Sequence, residues 1–430
     1  MAAQRRIARP GVAAAALGLV SALALAGCAE DSGSGSSSGG SGEGVEIGAS
    51  MEEYQEAFAD VDPITLNTQS PGPKGSATGA PIEKWVAAVE EWSDGKITFE
   101  VAFSNAVAEP TEIDDALNDG RLDVASTLPI YEPSEYPANV ALIETGFISD
   151  QTVIAGALQS NAWPNEVAFQ NEEIMQEFDD HGIVPLVPIF NSGSQMLLCS
   201  EPRTSLADIE GKAVSTSGTA QTAQIKALGG SPATVAYTEV YESVERGVVD
   251  CANATLTVGV LGGFVPAAPH ATVNNETGFA LAPGGWSFSK DTWESLPLVA
   301  QQLMWDKLDV YIGSNIEDKI WPNTAEAAKL VRENDGSFND FDADALEALE
   351  GANAKLLDQV RNGDGVEDAE GLVDAAEESA ATWFDEVEAL DIPAEVGYED
   401  FDQNFKSGDL DMSVYTDLVM EKIWSERRPS

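Results

Sequence analysis

Residues 111–123 and residues 238–250 carry one pattern twice, and a chain built on such a repeat has few folds open to it. Aligned without a gap, Thr111, Glu112, Gly120 and Asp123 fall on Thr238, Glu239, Gly247 and Asp250, while Ile113, Leu117 and Leu122 fall on Val240, Val244 and Val249. A threonine can cap a helix by accepting from an orphan amide, and a glutamate just inside it complements the positive end of the helix dipole. Apolar residues four apart then lay a stripe on a sheet, and the glycine takes the left-handed conformation that ends the helix before a short buried strand. Two such units point to two similar α/β lobes rather than one sheet.

At 430 residues the chain has room for two domains with sizeable cores. Its 73 acidic against 22 basic residues, a formal −51, argue against nucleic acid or anionic lipid as a partner, since both require clustered Lys and Arg. A solvated acidic surface of this kind suits a salty working environment, where counterions screen its self-repulsion. Only His181 and His270 exist, without zinc spacing, and no cofactor is expected. Asp340, Asp342 and Asp344 alternate like the start of a calcium loop, but Ala345 stands at the glycine position and Gly351 at the closing glutamate, so a capped helix start is the better reading.

The first residues read as an export signal, with Arg5, Arg6 and Arg9 ahead of an apolar run over residues 12–25 that is short for a membrane span. The run ends in Leu25-Ala26-Gly27-Cys28, which resembles the bacterial lipoprotein processing site and would leave Cys28 as a lipidated N-terminus on the outer face of the cell membrane. Ser and Gly dominate residues 30–44, a composition that cannot build a core and serves as a tether. With Cys28 lipidated, Cys199 and Cys251 are the remaining thiols of an exported chain, and a disulfide between them is expected, two buried free thiols being the alternative.

The folded part is expected from about residue 51. A strand at 64–67, a glycine- and proline-rich turn at 71–79, a helix over 81–92 and a strand over 97–103 precede the first copy of the repeat. A buried strand over 183–190 leads to the first crossing between lobes, with Asn191, Ser192 and Gly193 at its exit. Beyond Pro297, the residues Met304, Leu308, Ile312, Ile316 and Ile320 form an apolar ridge of a long helix, and two more helical patterns cover 344–360 and 369–390.

Asp208-Ile209-Glu210-Gly211-Lys212, then Leu228-Gly229-Gly230-Ser231-Pro232, Glu239-Val240-Tyr241 and Gly247-Val248-Val249-Asp250 resemble, in order and spacing, the extracytoplasmic solute receptors of TRAP transporters, the DctP-like family. Trp92-Ser93-Asp94-Gly95-Lys96 and Ser289-Lys290-Asp291, with Trp293 and Leu296-Pro297, extend the resemblance over residues 64–320. It implies a periplasmic-binding-protein-like α/β fold of two lobes with hinge crossings and a long bracing helix. It also implies closure on a small organic solute and its delivery to a membrane permease. The domain plan that follows is a signal peptide over 1–27, a tether over 28–50, lobe 1 over 51–190 with part of 255–295 returning to it, lobe 2 over 191–254, and a helical region over 296–430.

The family usually places an arginine after the Asp208–Lys212 motif to fork onto a substrate carboxylate, and the aligned position here is Ser215. The usual asparagine after the aspartate at Asp250 corresponds to Asn253, or to Ala254 with a slip of one. Ser215, Asn253, Asn191, Tyr131 and Asn105 each stand where an expected strand ends, and these five are the candidate ligand contacts. A polar, uncharged set with an aromatic wall suits a neutral, zwitterionic or aromatic solute; Lys74 could supply a charge, although a surface role fits it better. An ABC importer receptor would share the lipobox, tether and lobes. A secreted lipoprotein enzyme is disfavoured, because no nucleophile, base and orienter stand at supporting spacing.

Overall fold

The computed structural model describes residues 42–406 and 408–430; the export signal, Cys28 and the tether up to residue 41 lie outside the described residues. The tether was expected to reach residue 50, but its last part is bound to the fold. The Val45 amide donates to Gln302 Oε1 at 2.7 Å, and its carbonyl accepts from Arg428 at 2.9 Å. Ser50 and Glu53 then form a capping box for a helix over Met51–Phe58.

Two sheets divide the strands. The first holds β1 (Ile64–Ser70), β2 (Ile97–Phe103), β3 (Val124–Ala125), β4 (Ile183–Phe190) and β10 (Gly284–Ser289), in the order β2-β1-β3-β10-β4. The second holds β5 (Met196–Cys199), β6 (Ala213–Thr216), β7 (Ser231–Thr234), β8 (Cys251–Ala254), β9 (His270–Thr272) and β11 (Ser337–Asn339), in the order β11-β9-β5-β8-β6-β7. The wiring is duplicated. β1 runs parallel to β2 and β3, with β10 antiparallel beside β3; β6 runs parallel to β7 and β8, with β5 antiparallel beside β8.

The sequence repeat occupies the same place in each sheet, between the outer strand and the third. Its helices span Ile113–Asn118 and Val240–Glu245, and Gly120 and Gly247 end them at φ 77° and 66°. The threonine caps do not form. Thr111 and Thr238 lie within 3-10 turns, Pro110–Glu112 and Tyr237–Glu239, and neither helix has a side-chain cap. Pro110 favours the tight turn, because its ring fixes φ in the helical range and removes an amide that a cap would have to satisfy.

The aspartates that close the repeat do the same work in both lobes. Asp123 Oδ2 accepts from the Asn67 amide at 2.6 Å and Asp250 Oδ2 from the Ala213 amide at 2.9 Å, pinning the entry of β3 to β1 and that of β8 to β6.

The apolar ridge from Met304 to Ile320 is buried throughout. It runs through helices Leu298–Asp306 and Leu308–Ser314 into a π-turn over Asn315–Ile320, and on into a helix over Trp321–Glu333. The Leu308–Ser314 segment packs on the helix Ala80–Trp92 of the first lobe, and Trp321–Glu333 packs on Leu256–Leu261 of the second. The helices Ala343–Arg361 and Ala369–Ala389 also bridge the two sides. The first touches Thr219–Ala227 and the second touches Trp163–Gln170. The region over 296–430 is not wholly outside the lobes, since β11 pairs in parallel with β9. Asp342 stands at the N-cap position of Ala343–Arg361 but makes no cap bond, and its carboxylate accepts from the Thr204 hydroxyl at 3.3 Å instead.

Candidate solute-binding cleft

The chain passes from sheet to sheet at residues 191–195 and 273–283, and the space above these crossings is a cleft of ≈ 1030 Å³ including its open side. Such a size suits a small organic molecule. Both copies of the repeat face it. Ile113 and its counterpart Val240 line opposite walls, and the same alignment sets Ser126 on Asn253 and Leu128 on Thr255, all four lining the cleft.

Four of the five expected contacts line the cleft: Ser215, Asn253, Tyr131 and Asn105. Ser215 is buried on β6, between Ala233 of β7 and Ala252 of β8. Asn253 follows on β8 beside Leu197, with Nδ2 donating to the Met196 carbonyl at 3.4 Å. Ala254, the alternative by a slip of one, lines the cleft as well. Lys74 is exposed, 5.9 Å from the Phe103 ring centroid, and does not line the cleft.

Asn191 is placed differently from the expectation. It sits behind the wall, its Nδ2 donating to Ser160 Oγ at 2.9 Å, its amide to Asn161 Oδ1 at 2.8 Å, and its carbonyl accepting from Asn315 at 2.9 Å. A strand-end asparagine reads from sequence as a ligand contact, but here the crossing needs its hydrogen bonds for itself, because buried main-chain groups must be satisfied. Its neighbours Phe190 and Ser192 line the cleft in its place.

Two lining residues that were not foreseen, Gln195 and Thr257, are with Asn253 the most informative. Gln195, Asn253 and Thr257 are 3 %, 2 % and 2 % exposed, and Gln195 Oε1, Asn253 Oδ1 and Thr257 Oγ1 have no hydrogen-bond partner among the described residues. Buried polar atoms are nearly always paired, so three unpaired atoms in one cleft mark a surface shaped for a polar solute.

At one side the lobes touch each other. Asn105, in the left-handed region at φ 51° after β2, donates from Nδ2 to Tyr237 Oη at 2.7 Å, and the Tyr237 amide donates to Tyr131 Oη at 3.3 Å. Asn tolerates this backbone conformation better than most residues. Burial raises both phenols, that of Tyr237 to about 12, so they stay neutral donors and acceptors at ordinary pH. Tyr237→Phe removes the Asn105 bond and leaves the ring, and it is expected to weaken solute binding about 2- to 10-fold, the worth of one neutral hydrogen bond. Calorimetry checks this; an unchanged affinity would mean that the contact plays no part in closure.

Two sheets with duplicated wiring, linked by crossings, braced by helices that pack on both and enclosing a cleft, define the class of two-lobed solute-binding proteins. The chain matches the bacterial extracellular solute-binding protein family 7, DctP, over residues 69–363 and belongs to it. It is similar to a solute-binding protein of Sulfitobacter sp. (strain NAS-14.1), 25 % identical over 228 residues, covering 52 % of this chain and 65 % of that protein. Similar too is the ectoine-binding periplasmic protein TeaA of Halomonas elongata, 26 % identical over 148 residues, covering 34 % of this chain and 42 % of that protein. The chain thus spans less than two thirds of the length of either relative.

Among solved structures, the ectoine-binding protein from the TeaABC TRAP transporter of Halomonas elongata superposes with a TM-score of 0.64 at 18 % identity, over 74 % of this chain and 99 % of that one. A TRAP solute-binding protein from Rhodoferax ferrireducens in complex with copurified benzoate gives 0.65 at 17 % identity, over 76 % of this chain and 100 % of that one. These likenesses bear out the fold.

Proposed function

We propose that the protein is the extracytoplasmic receptor of a TRAP-type transporter, taking one small organic solute between its lobes and delivering it to the membrane permease. The observation that carries this reading is the cleft itself, lined among others by Gln195, Asn253 and Thr257, each of which carries a buried polar atom unpaired among the described residues. Family membership supports the same reading, as do the ligands named for similar structures: ectoine, aromatic acids, galacturonate and pyroglutamic acid. On this reading the protein binds its solute and does no chemistry on it, in keeping with the solute-binding names of its relatives. Among the described residues no helix is long and apolar enough to cross a membrane, and attachment through a lipid on Cys28 would keep the receptor near its permease.

A solute that binds only the folded protein raises its melting temperature by mass action. Thermal unfolding against a panel of organic acids, their primary amides, amino acids and osmolytes is therefore expected to show a shift with at least one compound. Small-angle scattering should show compaction with the same compound. A flat panel with unchanged scattering would sink the receptor reading.

A further inference from the structure

Among the described residues that line the cleft, Lys319 alone is formally charged, in a chain with 73 acidic and 22 basic residues. It is 6 % exposed, on the π-turn of the bracing helix. Its Nζ donates to Asn315 Oδ1 at 3.0 Å and stands 4.3 Å from the centroid of the Phe190 ring, another lining residue. An ammonium has three donors, and Asn315 takes one.

Of the acids on the π-turn and on the elements packed against it, Glu317 has a partner of its own, Asp309 on the segment Leu308–Ser314 lies 3.6 Å from Lys307, and Glu326 on Trp321–Glu333 lies 3.4 Å from Lys329. Asp318 binds Lys84 at 2.6 Å, and Glu83, on the helix packed against the π-turn, accepts from the Gly75 amide at 2.8 Å. The 3-10 turn Ala77–Gly79 and the helix Leu256–Leu261, which also pack there, have no ionisable side chain. Tyr131 and Tyr237 are the other titratable lining groups, and burial keeps both neutral.

The ammonium is held in place. Asn315, its acceptor, donates to Asn161 Oδ1 at 3.0 Å and to the Asn191 carbonyl at 2.9 Å, so the amide chain behind the first crossing fixes the group that orients Lys319. A desolvated cation without a counter-charge is costly, and such groups mark functional sites. The costly charge and the unpaired Gln195 and Asn253 atoms share one cleft.

We propose that Lys319 holds the anionic group of the solute, supplying from the bracing helix the positive charge that β6 lacks at Ser215. The solute class is a small organic acid that also bears a hydroxyl or amide for the unpaired polar atoms of Gln195 and Asn253, with the Phe190, Tyr131 and Tyr237 rings at its sides. This rests on the receptor reading. It differs from the expectation of a neutral, zwitterionic or aromatic solute, drawn from the uncharged candidate set and its aromatic wall, in giving the solute an anionic group. Burial alone pulls the free ammonium down to about 7, and an arriving carboxylate restores the charged form. Binding of the acid at pH 8.5 therefore takes up a proton.

The test is calorimetry on the mature protein and on Lys319→Gln and Lys319→Met, with acids paired against their primary amides: mandelate with mandelamide, 3-hydroxybenzoate with 3-hydroxybenzamide, and any other acid that shifts the melting temperature with its own amide. The acid is expected to bind roughly 100-fold more weakly to both variants, the loss typical for one partner of a buried charge pair, while the amide changes little. Titrations in buffers of different ionisation enthalpy should show close to one proton taken up per acid bound at pH 8.5 by the unaltered protein, and none by the variants. The proton readout on the unaltered protein stands even if a variant fails to fold. Amides binding as tightly as acids, acid affinity unchanged in the variants, or no proton uptake would overturn the assignment and leave the receptor reading intact. No binding by any compound would overturn the receptor reading and the assignment with it.

Discussion

Lys319→Met is expected to make the ligand-free protein more stable at neutral pH, by about 1–4 kcal/mol, the range seen when well-packed apolar side chains replace buried charges. The unfolded lysine titrates near its ordinary value of 10.5 and the folded one, its ammonium desolvated by burial, at about 7, so between these limits the unfolded chain binds more protons. Stability of the unaltered protein therefore rises with pH across this window, by up to about 1.4 kcal/mol per pH unit, and below pH 7 the full cost of the buried charge is present. The variant lacks this slope. The buried phenols of Tyr54, Tyr311 and Tyr415, raised by burial, titrate above this window. Thermal unfolding of both proteins at pH 7, 8 and 9 should bring the two melting temperatures together as pH rises. Parallel curves would mean that Lys319 is not desolvated. A stabilised variant that no longer holds an acid would show stability given up for function at this position.

The repeat made the two-lobed plan legible, because helix stripe, glycine and aspartate answer to local rules that hold in both copies. The aspartates were legible as a pattern but not as a purpose: the bonds from Asp123 to Asn67 and from Asp250 to Ala213 join residues far apart in sequence. Lys319 was missed, although a signal was there. It follows Ile312 by two helical turns and so lies on the buried stripe, where a lysine has no ordinary reason to be. The apolar ridge through Ile316 and Ile320 masked it. No periodicity announces the π-turn over Asn315–Ile320, a feature frequent at functional sites. Asn191 shows the converse error. Its position at a strand end was read correctly, but sequence cannot say which side of the wall an amide faces.

Removing the Cys199–Cys251 bridge is expected to have the other large effect. The two cysteines stand opposite each other in the antiparallel β5–β8 pair and are bonded, closing a loop with a sequence separation of 52. On the chain-entropy model a loop of that length contributes about 4 kcal/mol, less any native strain. The loss should not stay local. The pair lies in the small core of the second lobe with Val214, Ile225 and Leu228. Two residues beyond Cys251, Asn253 faces Leu197 in the same ladder and lines the cleft. The double variant Cys199→Ala and Cys251→Ala should therefore melt several degrees lower and bind its solute more weakly. Dithiothreitol should bring the unaltered protein close to the variant and leave the variant unchanged. Thiol titration of the denatured, unreduced mature protein should find neither cysteine free. Two titratable thiols would rule the bridge out, and a double variant of undiminished stability would show that β5 and β8 hold their register without it.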